Sequence, residues 1–197
     1  MPKQFEIRAD FDKDTIVVYQ AYNDKIAIPA IKNNEFVEPF SFNRMTWLKP
    51  SFLWLMERSN YGQKSNQEYT LGIRIKMNGW ESALKEAILT HPEKNVYPNT
   101  EKWKELFDKA RVHVQWDPER SIRGNKLDYW SIQIGISRYL INTYNDDWIV
   151  EIKDYSPLVK KIYGLCKEGK YDKAKDFLPK EKVYELSPEI KKRLGIT

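Results

Sequence analysis

From Thr15 to Gln20 the chain reads TIVVYQ, an unbroken β-branched and aromatic run that predicts a buried strand. Asn23 and Asp24 then offer caps to a helix carrying Ile26, Ala27, Ala30 and Ile31, ended by Asn33-Asn34. Pro29 inside that helix predicts a kink or a short first piece. Pro50 suits the first turn of a second helix, where its missing N–H is no loss. Phe52 to Met56 follow, apolar nearly all round, so this helix is expected to cross the core. A polar loop from Tyr61 to Gln67 precedes a clean alternation, Tyr69, Leu71, Ile73, Ile75 and Met77 against polar neighbours, which predicts a half-buried strand.

Trp80, Ala83, Leu84, Ala87 and Ile88 have helical spacing, closed by His91-Pro92. After turn-rich residues 92–100, Trp103, Leu106, Phe107 and Ala110 mark another amphipathic helix. Alternation returns at residues 111–116 and again at 131–136, with a polar loop expected between. A helix near 138–142, a strand over 148–153 and a helix over 156–167 complete the body, with Ser156-Pro157 as N-cap and first-turn pair. The lysine-rich tail, about 168–197, reads as short helices wrapped on the surface. Strands scattered among helices without regular βαβ alternation argue an α+β fold, with a mixed or largely antiparallel sheet packed by helices. Residues 1–197 are expected to form a single domain.

Composition narrows the classes. A 197-residue chain that is 41% hydrophobic holds enough apolar material for its core without staples. The one cysteine, Cys166, allows no intramolecular disulfide and no cysteine metal cage, a usage that suits a reducing cytoplasm. It lies on the stripe Leu158, Ile162, Leu165, so core packing accounts for it better than nucleophilic chemistry. The most apolar run, Phe52 to Met56, is far shorter than the ~20 residues a bilayer needs, and the first residues lack a signal-peptide stretch. A cytoplasmic protein without membrane contact is expected. His91 and His113 are not spaced as a metal pair, so no transition-metal site is expected, whereas carboxylate-bound magnesium stays open. Phosphate-loop and nucleophile-elbow motifs are absent.

Lysine and arginine number 33 against 28 acids, with seven tryptophans and twelve tyrosines. Positive charge with aromatic rings is what nucleotide and nucleic-acid binders use, although tryptophans also simply fill cores. Three segments carry candidate chemistry. Arg44, Lys49 and Arg58 flank the helix from Phe52, and with its N-terminus they would form an anion site. The plain alternative is ion pairs and snorkelling at helix ends. In Gln115-Trp116-Asp117-Pro118-Glu119-Arg120, Asp117 and Glu119 are candidates for proton work and Arg120 for clamping a phosphate, though Asp-Pro equally opens turns. Gln20, Arg74, Gln115 and Gln133 sit on strands with apolar opposite faces and predict either a polar cleft or one solvated sheet face.

The runs Thr15-Ile16-Val17-Val18-Tyr19-Gln20-Ala21-Tyr22, Arg44-Met45-Thr46-Trp47-Leu48-Lys49-Pro50-Ser51, Val114-Gln115-Trp116-Asp117-Pro118-Glu119-Arg120 and Ser131-Ile132-Gln133-Ile134-Gly135 resemble the family called domain of unknown function 4291. That likeness spans about Ile7 to Pro179 and implies relatives, not an activity. The opening strand ending in Tyr19-Gln20, its alanine-containing helix and Phe36 are also similar to ADP-ribosyltransferase-like domains. This second likeness implies NAD as cofactor or substrate in a cleft between small sheets, with Glu119 the candidate for a catalytic glutamate that the likeness does not itself pin down. The leading expectation is a small phosphate-handling enzyme acting on a nucleotide, NAD or RNA. Arg44, Lys49, Arg58 and Arg120 would hold phosphates, while Gln20, Gln115 and Gln133 orient the substrate. The alternatives are a non-catalytic RNA-binding module and a protein-interaction adaptor.

Overall fold

A computed structural model gives the fold over residues 4–196. In chain order the elements are β1 (Gln4–Phe5), β2 (Arg8–Ala9), β3 (Thr15–Tyr22), α1 (Asp24–Asn33), β4 (Thr46–Leu48), α2 (Phe52–Ser59), β5 (Tyr69–Lys76) and α3 (Met77–Glu86). They continue as β6 (Ile88–Leu89), α4 (Thr100–Lys109), β7 (Val112–Arg120), β8 (Lys126–Ile136), α5 (Ile141–Thr143) with a π-helical turn (Tyr144–Trp148), and β9 (Ile149–Asp154). The last are α6 (Ser156–Lys167), α7 (Tyr171–Lys175), β10 (Lys182–Val183) and α8 (Pro188–Arg193). The fold is α+β, as the element pattern predicts.

Two sheets carry the molecule. In the first, β8 pairs antiparallel with β7 on one edge, while its other edge takes β1 in parallel at Tyr129 and Trp130 and β4 antiparallel at Ile134 to Ile136. Strand β6 adds in parallel to the far side of β7. The second sheet is antiparallel, ordered β3-β5-β9. The sheets touch where the Tyr19 N–H donates to the Lys49 carbonyl, 2.7 Å away, just beyond β4. A small ribbon pairs β10 with β2.

The run TIVVY is apolar without alternation because both faces of β3 are buried. Ile16 and Val18 enter the larger core with Ala27, Ala30, Trp80 and Ile134. Val17 and Tyr19 enter a second core with Phe52, Leu55 and Met56 of α2 and Val159 and Ile162 of α6.

Several expectations need correcting. Residues 70–73 of β5 are buried on both faces, because Tyr155 covers Gly72 and the Ser156 hydroxyl accepts the Thr70 N–H at 3.1 Å. Ser156 therefore opens α6 instead of capping it; Tyr155 holds the cap position. Pro50 lies outside α2, whose N-cap is Ser51, its hydroxyl accepting from Trp54 N–H at 3.2 Å. α3 ends at Glu86, and Ile88 joins β6. Pro29 sits within an unbroken α1.

The expected loop over 117–130 is mostly hairpin, turned at Ser121 to Asn125 with Gly124 at φ +78°. Pro118 is tolerated inside β7 because the ladder shifts beside it and β6 does not reach that far. The tail contributes more than surface helices: β10 pairs with β2, and Ile190 and Leu194 enter the larger core. Among the described residues no helix is long and apolar enough to cross a membrane, and Cys166 is a free thiol.

Tyr155 lies flat enough against Gly72 that a Cβ there would overlap its ring. Gly72→Ala is expected to destabilise the fold by about 1–3 kcal/mol, the usual cost of overpacking, measured by urea unfolding. An unchanged midpoint would show that the ring moves aside freely.

Candidate functional site

The last residues of β3 and the first of β4 make the floor of a cavity of about 650 Å³. Gln20, 3% exposed, donates from Nε2 to Thr46 Oγ1 at 2.6 Å and to the Trp47 carbonyl at 3.1 Å. Its Oε1 accepts from the Tyr144 hydroxyl at 3.2 Å, so both ends of the amide are engaged. Tyr22 Oη shares a hydrogen bond with Thr46 Oγ1 at 3.0 Å, and burial pushes its pKa up to about 12, which keeps the phenol neutral. Phe40, Met45 and Trp47 supply apolar wall.

Three cations meet this space: Arg44 from the loop before β4, Lys49 just after β4, and Arg58 in the last turn of α2. Among the described residues none of them lies within ion-pair distance of a carboxylate; the ion pairs present engage other lysines and arginines. Both arginines are exposed, whereas Lys49 is half-buried with Nζ 5.4 Å from the Trp54 ring centroid. Burial brings the Lys49 ammonium down to about 8, helped by the positive Arg58 and opposed by Asp117. The charge of Lys49 is thus lost as pH rises through about 8.

Asp117 belongs to the polar face of the β7–β8 ladder, opposite the side carrying Ile132 and Ile134. Gln115 Nε2 donates to one of its oxygens at 3.0 Å and Gln133 Nε2 to the other at 2.7 Å. The two glutamines and the aspartate therefore act as one unit; none of the three lines the cavity, and Asp117 bears on it as a negative charge felt by Lys49.

Other expected site residues lie elsewhere. Glu119 is 3% exposed, its Oε1 accepts the Arg120 N–H at 2.7 Å, and Ser51 and Ser131 hydrogen-bond to it. Burial raises its pKa and those bonds pull it partly back. Arg120 faces the hairpin turn, donating to the Gly124 carbonyl at 3.2 Å with Glu57 at 3.6 Å, and does not line the cavity. Arg74 is paired with Asp10 and Asp12, so the polar strand residues do not form one cleft. Nor is the N-terminus of α2 free for an anion: Ser51 caps it, and Glu181 Oε1 accepts the Phe52 N–H at 2.7 Å. Tyr22 and Glu181 were not singled out by sequence reasoning.

In the C-terminal third Tyr139 is exposed, while two other rings are covered by cations. Arg123 lies 4.2 Å over Tyr171 and Lys161 lies 3.6 Å over Phe177, so these rings already carry a cation. Among the described residues no group of three or more His, Cys, Asp or Glu side chains is arranged to hold a metal.

Glu181 is pushed up to about 8, first by burial and then by the nearby Glu119 charge. Its folded pKa lies above its ordinary value of 4.5, so the folded state holds the proton longer than the unfolded chain. The stability it contributes is present below about pH 4.5 and is lost as pH rises to about 8. Glu181→Gln is expected to flatten that decline relative to the wild type, read from denaturant midpoints across the same window. Parallel pH profiles would remove the assignment.

No curated protein matches the chain closely enough to count as a relative. A family model does match, covering residues 6–184 and therefore both sheets except β1, with the cavity floor, Asp117 and Glu181. By that match the chain belongs to the family described as domain of unknown function (DUF4291).

Proposed function

We propose that the protein binds a phosphate-bearing nucleotide in the cavity over Gln20 and Thr46 and acts on it as a transferase, with NAD the first ligand to consider. The observation that carries this is the meeting of Arg44, Lys49 and Arg58 on one cavity without acidic partners. Cations left unpaired beside one another repel, and a polyanion relieves that repulsion. Guanidinium forks match phosphate oxygens, and Tyr22, Phe40 and Trp47 offer flat apolar surface for a base. The volume of about 650 Å³ suits a ligand of nucleotide size.

The proton-handling group we assign to this chemistry is Asp117, which lies outside the cavity wall but near enough to Lys49 to act on its charge. Its two glutamine donors fix both oxygens, so it meets a substrate hydroxyl or water in one orientation. Glu119 and Arg120 serve instead beneath the site, holding the α2 entrance and the hairpin. ADP-ribosyltransferase-like chemistry fits a nucleotide cavity beside a fixed carboxylate, and it is in that sense that NAD leads.

Thermal unfolding against NAD, ATP, GTP, ADP-ribose and a short single-stranded RNA tests the proposal. A ligand at about a hundred times its dissociation constant stabilises the fold by roughly 2.7 kcal/mol. A nucleotide shift is expected in the wild type, reduced by about 1.5–3 kcal/mol of binding for each of Arg44→Ala and Arg58→Ala. Asp117→Asn is expected to keep the shift and lose conversion of that ligand, followed by chromatography. A shift with RNA alone, falling steeply with salt, would instead favour the RNA-binding module. No shift with any ligand would move the case to a protein partner.

A further inference from the structure

Of the three cavity cations only Lys49 is covered, and only Lys49 can give up its proton, since arginine stays charged in proteins. Its surroundings are Trp54 and Arg58 from α2, Asp117 from β7, and Arg44 from the loop before β4. We infer that Lys49 is an imine-forming amine and that the cavity takes anionic carbonyl compounds, with Arg44 and Arg58 holding the anion. The inference rests on the cavity being an anion site and names the reactive group its ligand carries.

A half-buried lysine beside a second cation and without an ion pair is the arrangement that frees an amine for attack on carbonyls. With its ammonium brought down to about 8, Lys49 presents far more free amine near neutrality than an ordinary lysine. The Nζ lone pair adds to the carbonyl carbon, and the C=O π pair moves to oxygen, giving a carbinolamine. Solvent water moves one nitrogen proton to that oxygen and a second to the departing hydroxyl, while the Asp117 charge steadies the positive nitrogen between the two transfers. Water leaves and the C=N bond forms, so amine plus carbonyl gives imine plus water with no redox partner. Sugar phosphates and nucleotide-linked riboses with a free anomeric carbon belong to this class, because their open-chain forms are aldehydes.

The test uses the full chain with pyridoxal 5′-phosphate, with pyridoxal lacking the phosphate, and with ADP-ribose. Each is reduced by borohydride, and the adduct is located by peptide mass mapping. Pyridoxal 5′-phosphate is expected to label Lys49 at least tenfold faster than any other lysine, and pyridoxal to lose that preference. The double variant Arg44→Ala/Arg58→Ala is expected to lose the preference too, and labelling to rise between about pH 6 and 8. An ADP-ribose adduct at Lys49 assigns the nucleotide as carbonyl source; an adduct with pyridoxal 5′-phosphate alone assigns a smaller phosphate. Labelling spread evenly over the lysines overturns the inference, and equal labelling by pyridoxal overturns the anionic class. Lys49→Arg keeps the charge, and its unfolding curve separates loss of the amine from loss of the fold. If nucleotides stabilise the wild type but no Lys49 adduct forms, the imine falls and the nucleotide cavity stands. If the adduct forms while nucleotides neither stabilise the protein nor slow labelling, the nucleotide falls and the imine site stands.

Discussion

Two sheets of different sizes meet through the backbone of β3, and the rest of the site depends on how that strand is held. Its N–H at Tyr19 bonds to the carbonyl of Lys49, and its side chains alternate between two separate cores. Ile16 and Val18 tie it to one, Val17 and Tyr19 to the other, so the strand can neither slide nor rotate without emptying apolar contacts on one side. Given that anchorage, Gln20 falls opposite Thr46 and Trp47, and the Lys49 side chain is delivered to the cavity. The polar floor is a by-product of apolar packing one residue away.

Helix α2 sorts charge along the same region. Its first turn meets carboxylates, Glu181 on the Phe52 N–H and Glu119 on Ser51, and its last turn carries Arg58. The Arg58 placement agrees with the helix dipole, whereas burial pushes both acids at the first turn towards their neutral forms. Glu181 and Lys49 lie towards opposite sides of the charge scale, yet burial drives each towards its neutral form, one pushed up to about 8 and the other down to about 8. They do not neutralise one another as a pair, so each answers to its own surroundings.

Local chemistry was legible where it depended on neighbours in sequence. Arg44, Lys49 and Arg58 stand within one stretch around α2, and β3 brings Gln20 to them from further back in the chain. The glutamine pair on the β7–β8 face followed from alternation, although its common acceptor, Asp117, required the register of Gln115 against Gln133. The hairpin was hidden because Pro118 suggests a turn, and only the short reach of β6 makes it acceptable in a strand. Arg120 and Arg74 found acids that sequence spacing does not reveal, Glu57 and Asp10. Glu181 was illegible for the plainest reason: its partner, Phe52, is 129 residues away, and the lysine-rich tail around it reads as solvated surface.

That distance also has a meaning in time. A chain emerging from the ribosome presents β3, β4 and α2 early, and domains begin to organise from the N-terminal side during synthesis. The first turn of α2, however, receives its carboxylate only when residue 181 appears, together with β10, which pairs back onto β2. Until then the Phe52 N–H has water for a partner. Completion of the helix entrance beside the cavity therefore waits on a residue 129 positions further on, and a nascent protein holds the parts of its site before it holds their final arrangement.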